Sequence, residues 1–271
     1  MKILYFKLLS FAVCVLFLCC SDKIDFTESI DVMNSPEYLL TKSGPWDINQ
    51  FERGVIYSNT ALKNDIDSLC ALHLSHIEHA ARLTGMTQEG IDLMPKFNIW
   101  LFKDIDDKYR KTQLKSIHCI SDYNAVYYPA EESKSAHEYG HLLAYYNWGH
   151  MLNRKYSLFL DEAFAYYVDE GRAFKFEYYE KAKEILDNDG YAVSKILAGE
   201  TPFDLFANKG RKKAFVCAAF IKYLVNSYGI EKFAGLWKAV RKNDSGAFQQ
   251  IYNKDMPELE QEFYRFLKID L

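Results

Sequence analysis

Apolar and polar positions follow two rhythms along this chain, and the change from one to the other divides it. Short apolar runs come first. Gly54-Val55-Ile56-Tyr57-Ser58, Phe97-Asn98-Ile99-Trp100-Leu101-Phe102 and Asn124-Ala125-Val126-Tyr127-Tyr128 carry the β-branched and aromatic residues of strands, the last stopped by Pro129. Leu62, Ile66, Leu69, Leu72, Ile77 and Ala80 recur at close to helical spacing and end at Gly85, which predicts a helix over 61–84. His73, His76 and His79 lie in it, swept across its surface by three-residue steps, and read as a polar face. From Glu131 onward the rhythm is helical nearly throughout, with turns expected near Gly149, Gly190, Gly199 and Asn243–Gly246. The pattern predicts an α+β fold, with a mixed lobe carrying a short sheet over 51–148 and a mainly helical lobe over 149–271. Residues 20–50, rich in Asp, Ser and Asn, read as a tether and irregular lead-in.

The beginning of the chain has a pattern of its own. Lys2 and Lys7 supply a basic start, and residues 8–19 are apolar apart from Ser10 but too short to span a bilayer comfortably. Residues 1–19 therefore read as an export signal. Its end, Leu16-Phe17-Leu18-Cys19-Cys20-Ser21-Asp22, resembles a bacterial lipoprotein signal with Cys20 acylated, Cys19 being the rival. Acylation would anchor the protein to a membrane and make it an exported cell-envelope lipoprotein, at the outer membrane or cell surface.

Cleavage before Cys20 leaves 252 of 271 residues and takes the formal charge from −4 to −6. That mild acidity, without a basic stripe, excludes a nucleic-acid partner. Cys70, Cys119 and Cys217 are odd in number and form no C-x-x-C, so they indicate buried thiols rather than a disulfide framework or a cysteine metal site. With 49% hydrophobic residues the chain can bury a large core.

The chemistry concentrates at His137-Glu138-Tyr139-Gly140-His141, an H-E-x-x-H pentapeptide. On a helix, residues four apart lie about 40° apart in azimuth and one turn apart in height, so both imidazoles reach one cation from the same side. Glu138 points about 100° away, beside the metal, where a general base for a metal-bound water belongs. Zinc is the expected ion. Glu131 and Glu132 stand where acidic residues favour a helix start, with Ser133 and Ser135 as alternative caps, and Leu142, Leu143, Tyr145 and Tyr146 make the helix largely apolar.

A catalytic zinc takes three protein ligands and keeps a position for water. Glu162 is the best third ligand: Asp161-Glu162 interrupts an apolar run from Leu158 to Val168, and two carboxylates there need a partner. A simple helix cap would also account for the pair. His150, Asp169 and Glu170 compete for the ligand role.

H-E-Y-G-H at 137–141 followed by L-D-E-A-F-A-Y-Y at 160–167 resembles the gluzincin metallopeptidases, particularly small peptidase-MA-like members of the thermolysin-like and M1-aminopeptidase-like branch. The resemblance covers roughly residues 60–268, with 219–229 and 257–263 similar to C-terminal helices of the small members. It implies a gluzincin-like fold with a zinc cleft between the two lobes and ligands His137, His141 and Glu162. It also implies a sheet edge that pairs with extended peptide or protein substrate, a role the strand at 124–128 could fill. The chain departs from the pattern in three places. Tyr166 stands where thermolysin-type enzymes carry an aspartate for a zinc histidine. No Gly-x-Met-Glu-Asn string is present to hold a free amine. Phe215 stands near where small members place an oxyanion-stabilising tyrosine, for which Tyr191, Tyr156, Tyr167 or His150 could substitute. The expected function is zinc-dependent peptide hydrolysis with Glu138 as base. The alternatives are a surface lipoprotein that uses the scaffold to bind peptide or glycan with little or no catalysis, and a purely structural zinc.

Overall fold

The computed structural model describes residues 33–59, 66–114, 118–149, 154–169, 177–189, 192–197, 208–240 and 246–269. The fold is mixed α+β, mostly helical, with one five-stranded sheet. It opens with helix α1 (Pro36–Lys42) and strand β1 (Asp47–Phe51), so part of the expected irregular lead-in is regular structure. Ser35 caps α1 by accepting from the Tyr38 amide.

β1 pairs antiparallel with β2 (Gly54–Ser58), and β2 lies parallel to β3 (Phe97–Phe102). The crossover between them carries α2 (Ile66–Leu83) and the short α3 (Gln88–Asp92). β3 is parallel to β5 (Ala125–Pro129), with α4 (Ile105–Thr112) in that crossover, and β4 (His118–Ile120) pairs antiparallel with β5. The strand order is β1-β2-β3-β5-β4. The strand expected at 124–128 is therefore internal, and the edges are β1 on one side and β4, the neighbour of β5, on the other.

Alternation of side chains explains why β3 and β5 are apolar throughout. Ile99, Leu101, Val126 and Tyr128 face the main core together with α2. Trp100, Phe102, Ala125 and Tyr127 face a second, smaller core with Leu39 of α1. Trp46 closes that side edge-on to Trp100.

Beyond β5 come α5 (His137–Trp148), α6 (Arg154–Val168), α7 (Tyr178–Asp189), α8 (Val193–Leu197), α9 (Asn208–Tyr228), α10 (Ile230–Val240), α11 (Ala247–Tyr252) and α12 (Met256–Leu267). α9 is buried from Lys213 to Ile221 and packs against α6 and α7, which makes it the axis of the helical part. Trp148, Phe164, Phe233 and Trp237 form an aromatic cluster where α5, α6 and α10 meet. Gly149 ends α5 at φ 84°, a left-handed conformation that favours glycine, and its amide bonds the Tyr145 carbonyl at 2.8 Å. Among the described residues no helix is long and apolar enough to cross a membrane.

Candidate metal centre

α5 is buried nearly all round, as its composition requires: Glu138, Tyr139, Gly140, His141 and Leu142 to Ala144 are all out of solvent. It runs against α6 at close range because position 140 has no side chain. A Cβ there would stand 2.8 Å from the Ala165 Cα and 3.2 Å from the Val168 Cβ. Only glycine lets the two helix backbones meet at this crossing.

That approach brings the sequence-predicted ligands together. His137 and His141 face each other with their Nε2 atoms 3.1 Å apart. A Glu162 carboxylate oxygen lies 3.2 Å from His137 Nε2, and the other lies 3.9 Å from His141 Nε2. The three residues offer ligand atoms within 4.8 Å of one another, so one metal ion could touch all three. Their side chains keep some exposure, 14% for His137, 8% for His141 and 18% for Glu162, so the cluster can be reached from outside.

Asp161 and Glu162 sit well inside α6, which begins at Arg154, so the helix-cap explanation of the acidic pair does not hold. Asp161 Oδ1 instead takes His141 Nδ1 at 2.6 Å. A carboxylate accepts the proton on Nδ1 and leaves the Nε2 lone pair for a ligand bond. Tyr145, one turn along α5, donates its hydroxyl to the other Asp161 oxygen. Burial alone would lower the His141 pKa. Asp161, Glu162 and Glu138 outweigh it and push the ring up to about 10. A pocket this rich in negative charge favours a cation.

Glu138 is 6% exposed and lies beside β4. The Cys119 thiol hydrogen-bonds to Glu138, and burial, followed by the Glu138 and Asp161 charges, pushes that thiol well above its ordinary range. Tyr166 sets its ring edge-on to His137 at 4.6 Å, with Phe215 edge-on behind it at 5.7 Å. The position that holds an aspartate in thermolysin-type enzymes thus packs on the first histidine with an aromatic ring.

Several expectations are corrected. Asp169 is not gathered with the ligands; its carboxylate meets the start of α5, accepting from the Ala136 amide at 2.6 Å and the Ser135 hydroxyl at 3.2 Å. Glu131 and Glu132 lie in a 3-10 turn ahead of the helix rather than in its first turn. Tyr167 is a core residue, edge-on to Phe164. His73 and His76 are buried, not a polar outer face, and His73 Nδ1 pairs with the Tyr139 hydroxyl at 2.9 Å. Cys70, Cys119 and Cys217 form no disulfide among the described residues, and of the three only Cys217 is fully buried. His150, Glu170, Tyr191, Cys20 and the side chain of Tyr156 lie outside the described residues.

Sequence reasoning missed Asp161 as the partner of His141, Tyr145 behind it, and Cys119 beside Glu138. Asp161 carried a signal, since a carboxylate next to a ligand glutamate in an apolar run has to be paired. Cys119 carried none. The chain matches no protein-family model, and no curated protein is detectably similar to it in sequence.

Proposed function

We propose that this protein is a zinc-dependent metallopeptidase of the gluzincin type, hydrolysing peptide bonds with Glu138 as general base. The supporting observation is the convergence of His137, His141 and Glu162 on one point, with Glu138 beside it on the same helix. Two imidazole nitrogens and one carboxylate oxygen are a usual catalytic zinc set and leave a coordination position open. With bonds of about 2.0–2.1 Å, tetrahedral zinc holds neighbouring ligand atoms about 3.3–3.4 Å apart. The separations of 3.1 Å between the histidines and 3.2 Å from His137 to Glu162 fit that edge, and the 3.9 Å from His141 to Glu162 is longer than it.

Bound there, zinc would supply a Lewis acid and lower the pKa of a water in the open position. The chain's own residues do the rest. Asp161 keeps the His141 proton on Nδ1. The Glu138 carboxylate takes a proton from the attacking water and delivers it to the departing amide nitrogen. β4, the outer strand beside Glu138, offers backbone groups to an extended peptide. The leader-like residues 1–19 support substrates outside the cytoplasm, reached from a lipid anchor on Cys20.

The test compares the purified full chain with Glu138→Gln for zinc content and for cleavage of a peptide library. Both should carry one zinc, and cleavage should fall by roughly 10²–10⁴-fold in the variant. Retained turnover removes Glu138 from the base role, and wild type without zinc sinks the hydrolase. Phe215, lacking a hydroxyl, favours one other reading: a lipoprotein that binds peptide or glycan without cutting, which would hold zinc yet leave the library intact.

A further inference from the structure

The N-cap position of α5 carries no capping side chain. Ala136 occupies its N-cap with no side chain able to accept from the first turn. The acceptor for the Ala136 amide itself comes from a residue 33 positions away. Asp169, 2% exposed, accepts from the Ala136 amide at 2.6 Å and from the Ser135 hydroxyl at 3.2 Å. The same Ser135 oxygen accepts from the His137 amide at 3.2 Å. A buried carboxylate is thereby wired through one hydroxyl to the backbone of the first histidine of the cluster.

Asp169 directly follows α6, two turns beyond Glu162. The helix that delivers the carboxylate of the cluster also clamps the helix that delivers its histidines. The contacts run antiparallel in strict order: Asp161 with His141, Ala165 under Gly140, Tyr166 on His137, Asp169 on Ala136. A slip of one residue along α6 moves its side chains by about 1.5 Å and breaks the whole series. A metal site tolerates only about 0.5 Å of misplacement. An ordinary cap would steady α5 alone, whereas this one also sets where His137 stands relative to Glu162.

We propose that Asp169 is a positioning residue of the metal site, acting through Ser135 to hold His137 in register with Glu162. This rests on the metal reading of the cluster above. The test is Co²⁺ titration of the full chain, followed by the visible d–d absorption of the bound ion. Ser135→Ala and Asp169→Asn should each weaken Co²⁺ binding about tenfold and alter the band shape. The double variant should be no worse than about tenfold, because both changes break one relay. Unchanged affinity and spectrum in the folded variants, with only a lower melting temperature, would reduce Asp169 to a helix cap and overturn the proposal. A double variant weakened about a hundredfold would mean independent effects and overturn the relay. Ser135→Ala keeps the bond from Ala136 to Asp169 and carries the test if Asp169→Asn does not fold. Wild type that takes up no cobalt overturns the metal reading and this proposal with it, whereas cobalt bound equally by all variants overturns this proposal alone.

Discussion

His73 and His76 on α2 and His137 and His141 on α5 are two largely buried histidine pairs in opposite surroundings. The α2 pair lies three residues apart with ring centroids 6.1 Å from each other, among the rings of Tyr128 and Tyr139. The α5 pair lies four residues apart with centroids at 4.8 Å, facing Asp161 and Glu162. Burial lowers His73 to about 4, so it is neutral across physiological pH. Burial acts in the same sense on His141, and the neighbouring carboxylates reverse it. Depth alone turns a histidine into a packed, neutral core group; converging carboxylates turn it into a candidate site. Tyr139 joins the two regions, since it lies between Glu138 and Gly140 on α5 and bonds His73. α5 is thus fixed to α2 by one side and to α6 by the other.

The sharpest way to break this comparison is to remove one residue from each region and measure bound zinc in the full chain. Glu162→Ala should lose zinc affinity by more than the roughly hundredfold that a partner outside the coordination shell commands. His73→Leu should keep one zinc per chain. Zinc retained in Glu162→Ala and lost in His73→Leu would exchange the roles assigned to the two pairs.

The next effect lies in stability against pH. His73 has a folded pKa of about 4 against an ordinary 6.5, so between those values the unfolded chain binds the extra proton. Its contribution is fully present above pH 6.5 and is lost as pH falls toward 4, to a total of about 3 kcal/mol. Urea unfolding of wild type and His73→Leu at several pH values across that window should show the acid-side loss shrinking in the variant. Parallel curves would mean that His73 is protonated in the fold as readily as in the unfolded chain.

The two regions were not equally legible in the sequence. Four-residue spacing dictates that His137 and His141 share a side of their helix, and a carboxylate pair inside an apolar run demands a partner. Local rules thus pointed to the cluster. The burial of His73 and His76 depends on which helix arrives above them, and nothing near position 73 announces Tyr139, 66 residues away. The same limit hid Asp169, whose use is set by the crossing of α5 and α6. β3 and β5 were legible because strands covered on both sides are apolar throughout. β1 escaped because it is a largely exposed edge strand, Asp47-Ile48-Asn49-Gln50-Phe51, without an apolar run. β4, three residues long, falls below any pattern, which is why the sheet edge was assigned to its neighbour.

The mildest perturbation asks how far the carboxylate surroundings extend behind His141. Tyr145 donates to Asp161 and Asp161 pairs with Nδ1 of His141, so the hydroxyl stands two bonds removed from any ion held at Nε2. Tyr145→Phe keeps the ring beside His141, at 6.1 Å between centroids, and deletes only the donor. Asp161 then loses one hydrogen bond but keeps its imidazole partner. Zinc affinity should fall by roughly threefold, within the net worth of one hydrogen bond. Competition with a chromophoric chelator, read for wild type and variant together, resolves a change of that size. A fall as large as that of Asp161→Asn, expected at about 10–100-fold, would mean that Asp161 cannot orient His141 without the tyrosine. The region would then be a three-member chain from Tyr145 to His141 rather than a histidine and its carboxylate, and so nearer in kind to the aromatic surroundings of His73.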